Sequence, residues 1–178
     1  MRIVGGKYKG RIFKPGKNFR ARPTTDMAKE GLFNILTNRF NFEELEVLDL
    51  FSGTGSISFE FASRGSNHIT LVESDSIHFK FILQTINSLQ LKSITPLKAN
   101  VFRYLRNSQQ KFDLVFADPP YNLKELKDIP KLIFSSEILK PESTFILEHP
   151  KELNFASLKE FKEVRNYGNV HFSFFEVR

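Results

Sequence analysis

The stretch FDLVFADPPYN, Phe112 to Asn122, ends an apolar run in an aspartate, two prolines and a tyrosine. Residues 112–117 have the composition of a buried strand. Proline lacks the N–H that a β-ladder needs, so pairing must stop at Asp118. Each proline also holds the residue before it in extended geometry, which fixes the directions of the Asp118 and Pro119 oxygens. The result is a rigid polar tip on a buried strand, with Pro120 and Tyr121 completing it. Taken alone, such a tip is also what a stiff strand-to-helix turn would show.

A second constellation is DLFSGTGS, Asp49 to Ser56. It follows an apolar strand and opens a helix, where glycine lets the backbone approach a ligand closely. The spacing is Asp49-x-Phe51-x-Gly53-x-Gly55, which lacks the G-x-G-x-x-G of dinucleotide enzymes and speaks against a nicotinamide oxidoreductase. A pyrophosphate wants helix N–H groups without a facing carboxylate, whereas a cofactor with an ammonium group tolerates Asp49 there. S-adenosylmethionine is such a cofactor. Glu73, closing the next strand, suits ribose hydroxyls, as acidic residues do at that place in dinucleotide folds. Asn100, ending the third strand, suits an adenine edge, with Val101 packing the ring. In isolation Glu73 reads equally as a surface ion-pair partner and Asn100 as a turn former.

These residues need strands to hold them, and the chain supplies a regular alternation from Val47 onward. The segments 47–51, 68–74, 95–100, 112–117 and 143–149 read as strands. Residues 56–65 read as a short helix ended by Gly65, and Phe79, Ile82, Leu83 and Ile86 form a helical stripe. Such βα alternation predicts a Rossmann-like, doubly wound, mostly parallel sheet with helices on both faces. The tail, residues 164–177, alternates without a helix and predicts a closing antiparallel hairpin at one sheet edge. Upstream, TTDMAKEGLFNILTNRF predicts a helix capped by Thr24 or Thr25, with Ala28, Leu32, Ile35 and Leu36 on one face. Residues 1–23 alternate short apolar runs with Gly and basic residues, as a small hairpin followed by an arm would.

The 178 residues are enough for a single domain with a substantial core, supplied by Leu, Ile and 20 Phe with no Trp. There is no Cys, and the four His are scattered, so neither disulfides nor a metal site is expected. The absence of a leader pattern or a long apolar run makes a cytoplasmic protein the expectation. The net charge of +6 is uneven: residues 1–40 hold ten Lys and Arg against Asp26 and Glu30, while the remainder carries 16 basic and 18 acidic side chains. A basic leader on a near-neutral body points to a polyanion, most simply nucleic acid, although it would also suit a solvated face.

The Gly-rich turn, Glu73, Asn100 and DPPY fall in order at the carboxyl ends of strands one to four. That set resembles the class I S-adenosylmethionine-dependent methyltransferases, and DPPY resembles the motif of those that methylate planar exocyclic amines. Together with MRIVGGKYKGR, RPTTDMAKEGLFNIL, VLDLFSGTGSISFEFASRG and the late YGN, the chain is similar over nearly its whole length to the RsmD family. It departs from the family pattern at Lys29, where an arginine is common, at PEST (141–144), where a glycine pair is usual, and at Val170, where threonine is common.

The resemblance implies methylation of the N2 amine of a guanine in 16S rRNA, with S-adenosylmethionine bound by Asp49, Phe51, Gly53, Gly55, Glu73, Asn100 and Val101. It implies catalysis at Asp118, Pro119, Pro120 and Tyr121. The amine of guanine is a weak nucleophile because its lone pair is conjugated with the ring. Acceptance of both N–H bonds by Asp118 and the Pro119 carbonyl would turn that lone pair toward the methyl sulfonium, with Tyr121 stacked on the base. Arg2, Lys7, Lys9, Arg11, Arg20 and Arg22 are the expected phosphate contacts. An adenine-N6 methyltransferase and a catalytically silent RNA-binding module are the alternatives. The expected partner is rRNA or an assembling small subunit, and a small basic enzyme on a large RNA has no need of a dimer.

Overall fold

The computed structural model of the chain describes residues 1–16, 19 and 25–177. The N-terminal hairpin is held by one antiparallel bridge, Arg2 to Ile12, rather than by extended strands. Its glycines explain why: Gly6 and Gly10 adopt φ of 71° and 85°, so the chain turns before a ladder can propagate. Helix α1 (Asp26–Arg39) starts at Thr25, whose hydroxyl accepts a hydrogen bond from the Ala28 N–H. Ala28, Leu32 and Leu36 are buried as expected, Ile35 only partly, and Phe33 and Lys29 join the buried face.

From Glu46 the chain runs β1 (Glu46–Leu50), α2 (Ser56–Ser63), β2 (His68–Glu73), α3 (Ser76–Leu89), β3 (Ile94–Lys98), α4 (Val101–Asn107), β4 (Phe112–Ala117), α5 (Ile129–Ser135), β5 (Leu139–His149), β6 (Phe161–Tyr167) and β7 (Val170–Glu176). The seven strands form one sheet in the order β3-β2-β1-β4-β5-β7-β6. Strands β1 to β5 are parallel, whereas β7 pairs antiparallel with both β5 and β6. The fold is thus doubly wound with an antiparallel edge hairpin, as the alternation predicts. Strand β5 begins earlier than its apolar run because a bulge carries Lys140 to Ser143 out of register with β4, and Glu142 takes φ of 60° there.

Strand alternation divides the core between the two sheet faces. On one, Val47, Leu114, Phe116, Ile146 and Phe172 meet α1, α2 and α3; on the other, Leu48, Val115, Phe145 and Phe175 meet α4 and α5. In α3 the buried stripe is Ile82, Thr85, Ile86 and Leu89, while Leu83 is exposed, contrary to the expected phase. Thr85 can take the buried position because its hydroxyl donates to the Phe81 carbonyl at 3.0 Å. Both sheet edges resist further pairing: β3 carries Pro96, and β6 presents Lys162, Glu163 and Arg165.

The N-terminal segment is docked on α2. Lys7 N–H donates to the Ser63 carbonyl at 2.7 Å, Tyr8 N–H to Ser63 Oγ at 2.9 Å, and Ser63 Oγ to the Gly5 carbonyl at 2.5 Å. A Cβ on Gly6 would lie 1.9 Å from the Ser63 carbonyl oxygen, so only glycine allows this approach.

Candidate active site

The strand order reverses between β1 and β4, and ligands in doubly wound folds bind outside the carboxyl ends of strands at that point. A cavity of about 680 Å³ opens there. It is walled by the ends of β1, β2, β4 and β5, by Thr25 and Met27 at the start of α1, and by the β6–β7 turn from Tyr167 to Val170.

Its floor on the β1 side is the glycine-rich turn. Phe51 and Gly53 adopt φ of 57° and 54°. For a bulky residue such as Phe51 that conformation costs on the order of 1–3 kcal/mol and must be imposed by its surroundings. Those surroundings are visible: Ser52 N–H donates to the Val72 carbonyl at 3.2 Å, the single Ser52 hydroxyl hydrogen is shared between the Asp49 carbonyl at 2.8 Å and that of Val72 at 3.2 Å, and Gly55 N–H donates to the Ser52 carbonyl at 2.7 Å. Asp49 is buried, and its Oδ2 accepts from Ser58 Oγ at 2.6 Å and Ser58 N–H at 3.2 Å. Desolvation nevertheless pushes its carboxyl up to about 7; the Ser58 bonds oppose the rise and the Glu73 charge adds to it.

Glu73 is buried at the end of β2 and joins two backbone turns. Its Oε2 accepts from Gly53 N–H at 2.8 Å and its Oε1 from Asp75 N–H at 2.7 Å. The carboxylate therefore fixes the shape of the glycine turn and keeps lone pairs for hydroxyl donors. Asn100 is the N-cap of α4: its amide oxygen accepts from Arg103 N–H at 3.1 Å, which leaves its NH₂ as the group to offer a ligand. Val101, buried beside it, also lines the cavity.

Asp118 follows β4 directly, and its N–H donates to the Leu50 carbonyl at 3.3 Å, tying the polar tip to β1. Burial, and then the charges of Glu148 and Asp49, hold its carboxyl well above the usual range. Pro119, Pro120 and Tyr121 extend the wall, and Leu123 N–H closes the turn on the Pro120 carbonyl at 2.8 Å. Tyr121 stands half-exposed at the mouth with its hydroxyl 3.4 Å from Glu148 Oε1.

Of the cofactor residues expected from sequence, Asp49, Phe51, Gly53, Glu73, Asn100 and Val101 line one cavity, together with all four residues of DPPY. Gly55 does not line it. It is the left-handed N-cap of α2, and a Cβ there would lie 2.8 Å from the Phe59 ring, so both conformation and packing require glycine at this position. Sequence inspection missed Glu148, Met27 and Tyr167. Glu148 lies at the carboxyl end of β5, one residue before its close, much as Glu73 closes β2, a positional signal that was available; Met27 and Tyr167 are brought in only by tertiary packing.

Of the basic residues, Lys7, Lys9 and Arg11 are exposed, and Lys7 and Arg11 flank the Tyr8 ring at 5.4 and 5.5 Å. Arg2 is exposed but paired with Asp26 at 2.7 Å. Arg20 and Arg22 lie outside the described residues. The Phe19 ring lies against that of His78, a cavity residue, with centroids 4.1 Å apart and planes tilted by 31°. Among the described residues no group of His, Asp and Glu is placed to hold a metal ion, and no helix is long and apolar enough to cross a membrane.

Residues 1–176 match the family model described as Conserved hypothetical protein 95. The chain is 32% identical to the Ribosomal RNA small subunit methyltransferase D of Haemophilus influenzae, across 85% of this chain and 80% of the other. Among solved structures it resembles the putative methyltransferase yhhF from Escherichia coli, with a TM-score of 0.84 and 26% identity over 99% of this chain and 97% of that one. The Thermus thermophilus 16S rRNA N2 methyltransferase RsmC, solved with AdoMet and guanosine, shares the fold at a TM-score of 0.70 and 21% identity, over 87% of this chain and 44% of that one.

Proposed function

We propose a mechanism on the premise that this chain belongs to the Conserved hypothetical protein 95 family, the family of the small-subunit rRNA methyltransferases D. It is an S-adenosylmethionine-dependent RNA methyltransferase acting on the N2 amine of a guanine in 16S rRNA. The observation that carries the mechanism is the placement of Asp118. It is fixed to Leu50 across the β1–β4 switch point and opens into the same cavity as Asp49 and Glu73.

The donor set fits the cofactor. Asp49 matches its charged amino group and Glu73 its ribose hydroxyls. Ser56 Oγ, which lines the cavity and is buried without a partner among the described residues, offers a further polar contact. When bound, S-adenosylmethionine supplies a methyl group on a sulfonium centre. Asp118 and the Pro119 carbonyl accept the N–H bonds of the guanine amine and orient its lone pair, and Tyr121 stacks on the base at the mouth. Held by Asp49 and Glu73, the cofactor would supply the methyl to the lone pair that Asp118 and Pro119 orient and leave as the neutral thioether, and the surplus amine proton would pass to solvent. In a helix N2 lies in the minor groove, so the base must be unpaired or flipped to enter.

Lys7, Lys9 and Arg11 carry RNA phosphates outside the cavity, and the enzyme acts as a cytoplasmic monomer. Mapping of methylguanosine in 16S rRNA from cells with and without the gene tests the function. Loss of one N2-methylguanosine is expected in the deletion; loss of a methyladenosine instead would replace guanine with adenine as the acceptor.

A further inference from the structure

Glu148 has no assigned task in the chemistry above, yet its place is restrictive. Register pairs Ala117 of β4 with Leu147 of β5, so Asp118 and Glu148 are the next residues on adjacent parallel strands, about 4.8 Å apart in backbone spacing. Alternation puts both on the face shared by Phe116 and Ile146, which looks toward α1 and the β6–β7 turn. Glu148 is only 5% exposed, and Phe172 of β7 is its register partner on the other side. The Tyr121 hydroxyl reaches back toward Oε1 at 3.4 Å, which places the base-stacking ring and the carboxylate at the same mouth. A second carboxylate beside Asp118 raises the cost of ionising both, and its charge adds to the rise of the Asp118 carboxyl.

The nucleobases with exocyclic amines differ at the ring position beside that amine. Beside N6 of adenine, and beside N4 of cytosine, the neighbouring ring nitrogens carry lone pairs. Beside N2 of guanine stands N1–H, a donor. We propose that Glu148 is the specificity-determining residue of this site, its carboxylate accepting guanine N1–H while Asp118 and the Pro119 carbonyl accept from the adjoining N2 amine. An adenine or cytosine placed with its amine at Asp118 would turn a lone pair toward Glu148 and leave a buried carboxylate repelled. This proposal rests on the assignment of a guanine acceptor, and it explains how a tip suited to any planar amine selects one base.

The test uses 2-aminopurine, which keeps the N2 amine of guanine but carries a lone pair at N1. Small-subunit rRNA from cells lacking the gene is first methylated by the wild-type enzyme to map the target. The same RNA is then rebuilt by ligation with guanine or 2-aminopurine at that position. Wild-type enzyme should favour guanine by about a hundredfold in kcat/KM, the scale of a charged hydrogen bond replaced by an unpaired buried group. Glu148→Gln, whose amide can turn either a donor or an acceptor to the base, should narrow that preference to less than tenfold and leave the S-adenosylmethionine dissociation constant within about twofold. Equal use of guanine and 2-aminopurine by the wild type would overturn the role of Glu148 without touching the assigned function. No methylation of the guanine RNA would defeat the functional assignment itself, and the role of Glu148 with it.

Discussion

Lys29 Nζ lies 3.7 Å from Glu60 Oε1, and the two side chains are 1% and 0% exposed. This pair joins α1 to α2 beneath the N-terminal segment. The Lys29 amine also donates to the Arg2 carbonyl, and the Val4 N–H donates to Glu60 Oε1. Burial lowers the lysine below its usual range, opposed by the Glu60 and Asp26 charges. Lys29→Met should therefore cost about 1–3 kcal/mol in urea unfolding, because Glu60 loses its amine but keeps Arg64 Nε at 3.5 Å from its Oε2. Lys29→Met with Glu60→Gln should recover part of that loss; no recovery would show that the amine's bond to Arg2, not the charge pair, holds the segment.

At Asp118, replacement by Ala should abolish methyl transfer and leave S-adenosylmethionine affinity within a few fold. Asn should retain partial activity, since its amide oxygen still accepts. The raised carboxyl adds a pH signature: wild-type kcat/KM should rise with pH as the acid ionises, and the Asn variant should lose that limb. Normal turnover by the alanine variant would remove Asp118 from the chemistry.

Asp49 should make cofactor binding pH-dependent. Its carboxyl titrates near 7 when the cavity is empty, and a cationic amino group favours the ionised form. S-adenosylmethionine should then bind about tenfold more weakly near pH 6 than near pH 8 and release a proton on binding at the lower pH, read by calorimetry in two buffers. Asp49→Asn should flatten the profile. The sign for folding is opposite: a carboxyl raised in the native state stabilises it below the unfolded value near 3.8, and that contribution is lost as pH rises through about 7.

Glu73→Ala should weaken S-adenosylmethionine tenfold or more, since each bond to a charged group contributes about 1.5–3 kcal/mol. Because Glu73 also holds the Gly53 and Asp75 N–H groups, the variant should lose thermal stability without cofactor as well. A lower Tm with an unchanged dissociation constant would make Glu73 a brace for the turn alone.

The exposed cations of the N-terminal segment should govern salt dependence. Replacement of Lys7, Lys9 and Arg11 by Ala should flatten the log-log slope of RNA affinity against salt by about two to three units, at roughly 0.7–0.9 per phosphate contact. Cofactor affinity should not respond. An identical slope for both proteins would return these residues to solubility.

What the sequence made legible followed local chemistry. Phe112–Ala117 is bounded as read because two prolines end it, and the glycine turn is placed by its own conformational demand. Where long-range packing decided the outcome, pattern fell short. Nothing near Lys29 in the sequence marks it for burial until Glu60 is brought to it, and Leu83 yields its buried place to Thr85, whose hydroxyl is satisfied within the helix. Tyr167 and the β6–β7 turn reach the cavity only because β7 lies between β5 and β6, a register that no short segment encodes.

That insertion of β7 also sets an order for biosynthesis. As the nascent chain emerges, β5 has no antiparallel neighbour until residues 170–176 follow, and β6 waits for the same strand. Until then the sheet has an open edge, and when β7 arrives its Phe172, Phe174 and Phe175 must be covered promptly or they invite aggregation. The β6–β7 turn from Tyr167 to Val170 is thus the last part of the cavity wall to be built, so a product that stops short of β7 should carry the glycine turn, DPPY and Glu148 but leave the cavity open on that side.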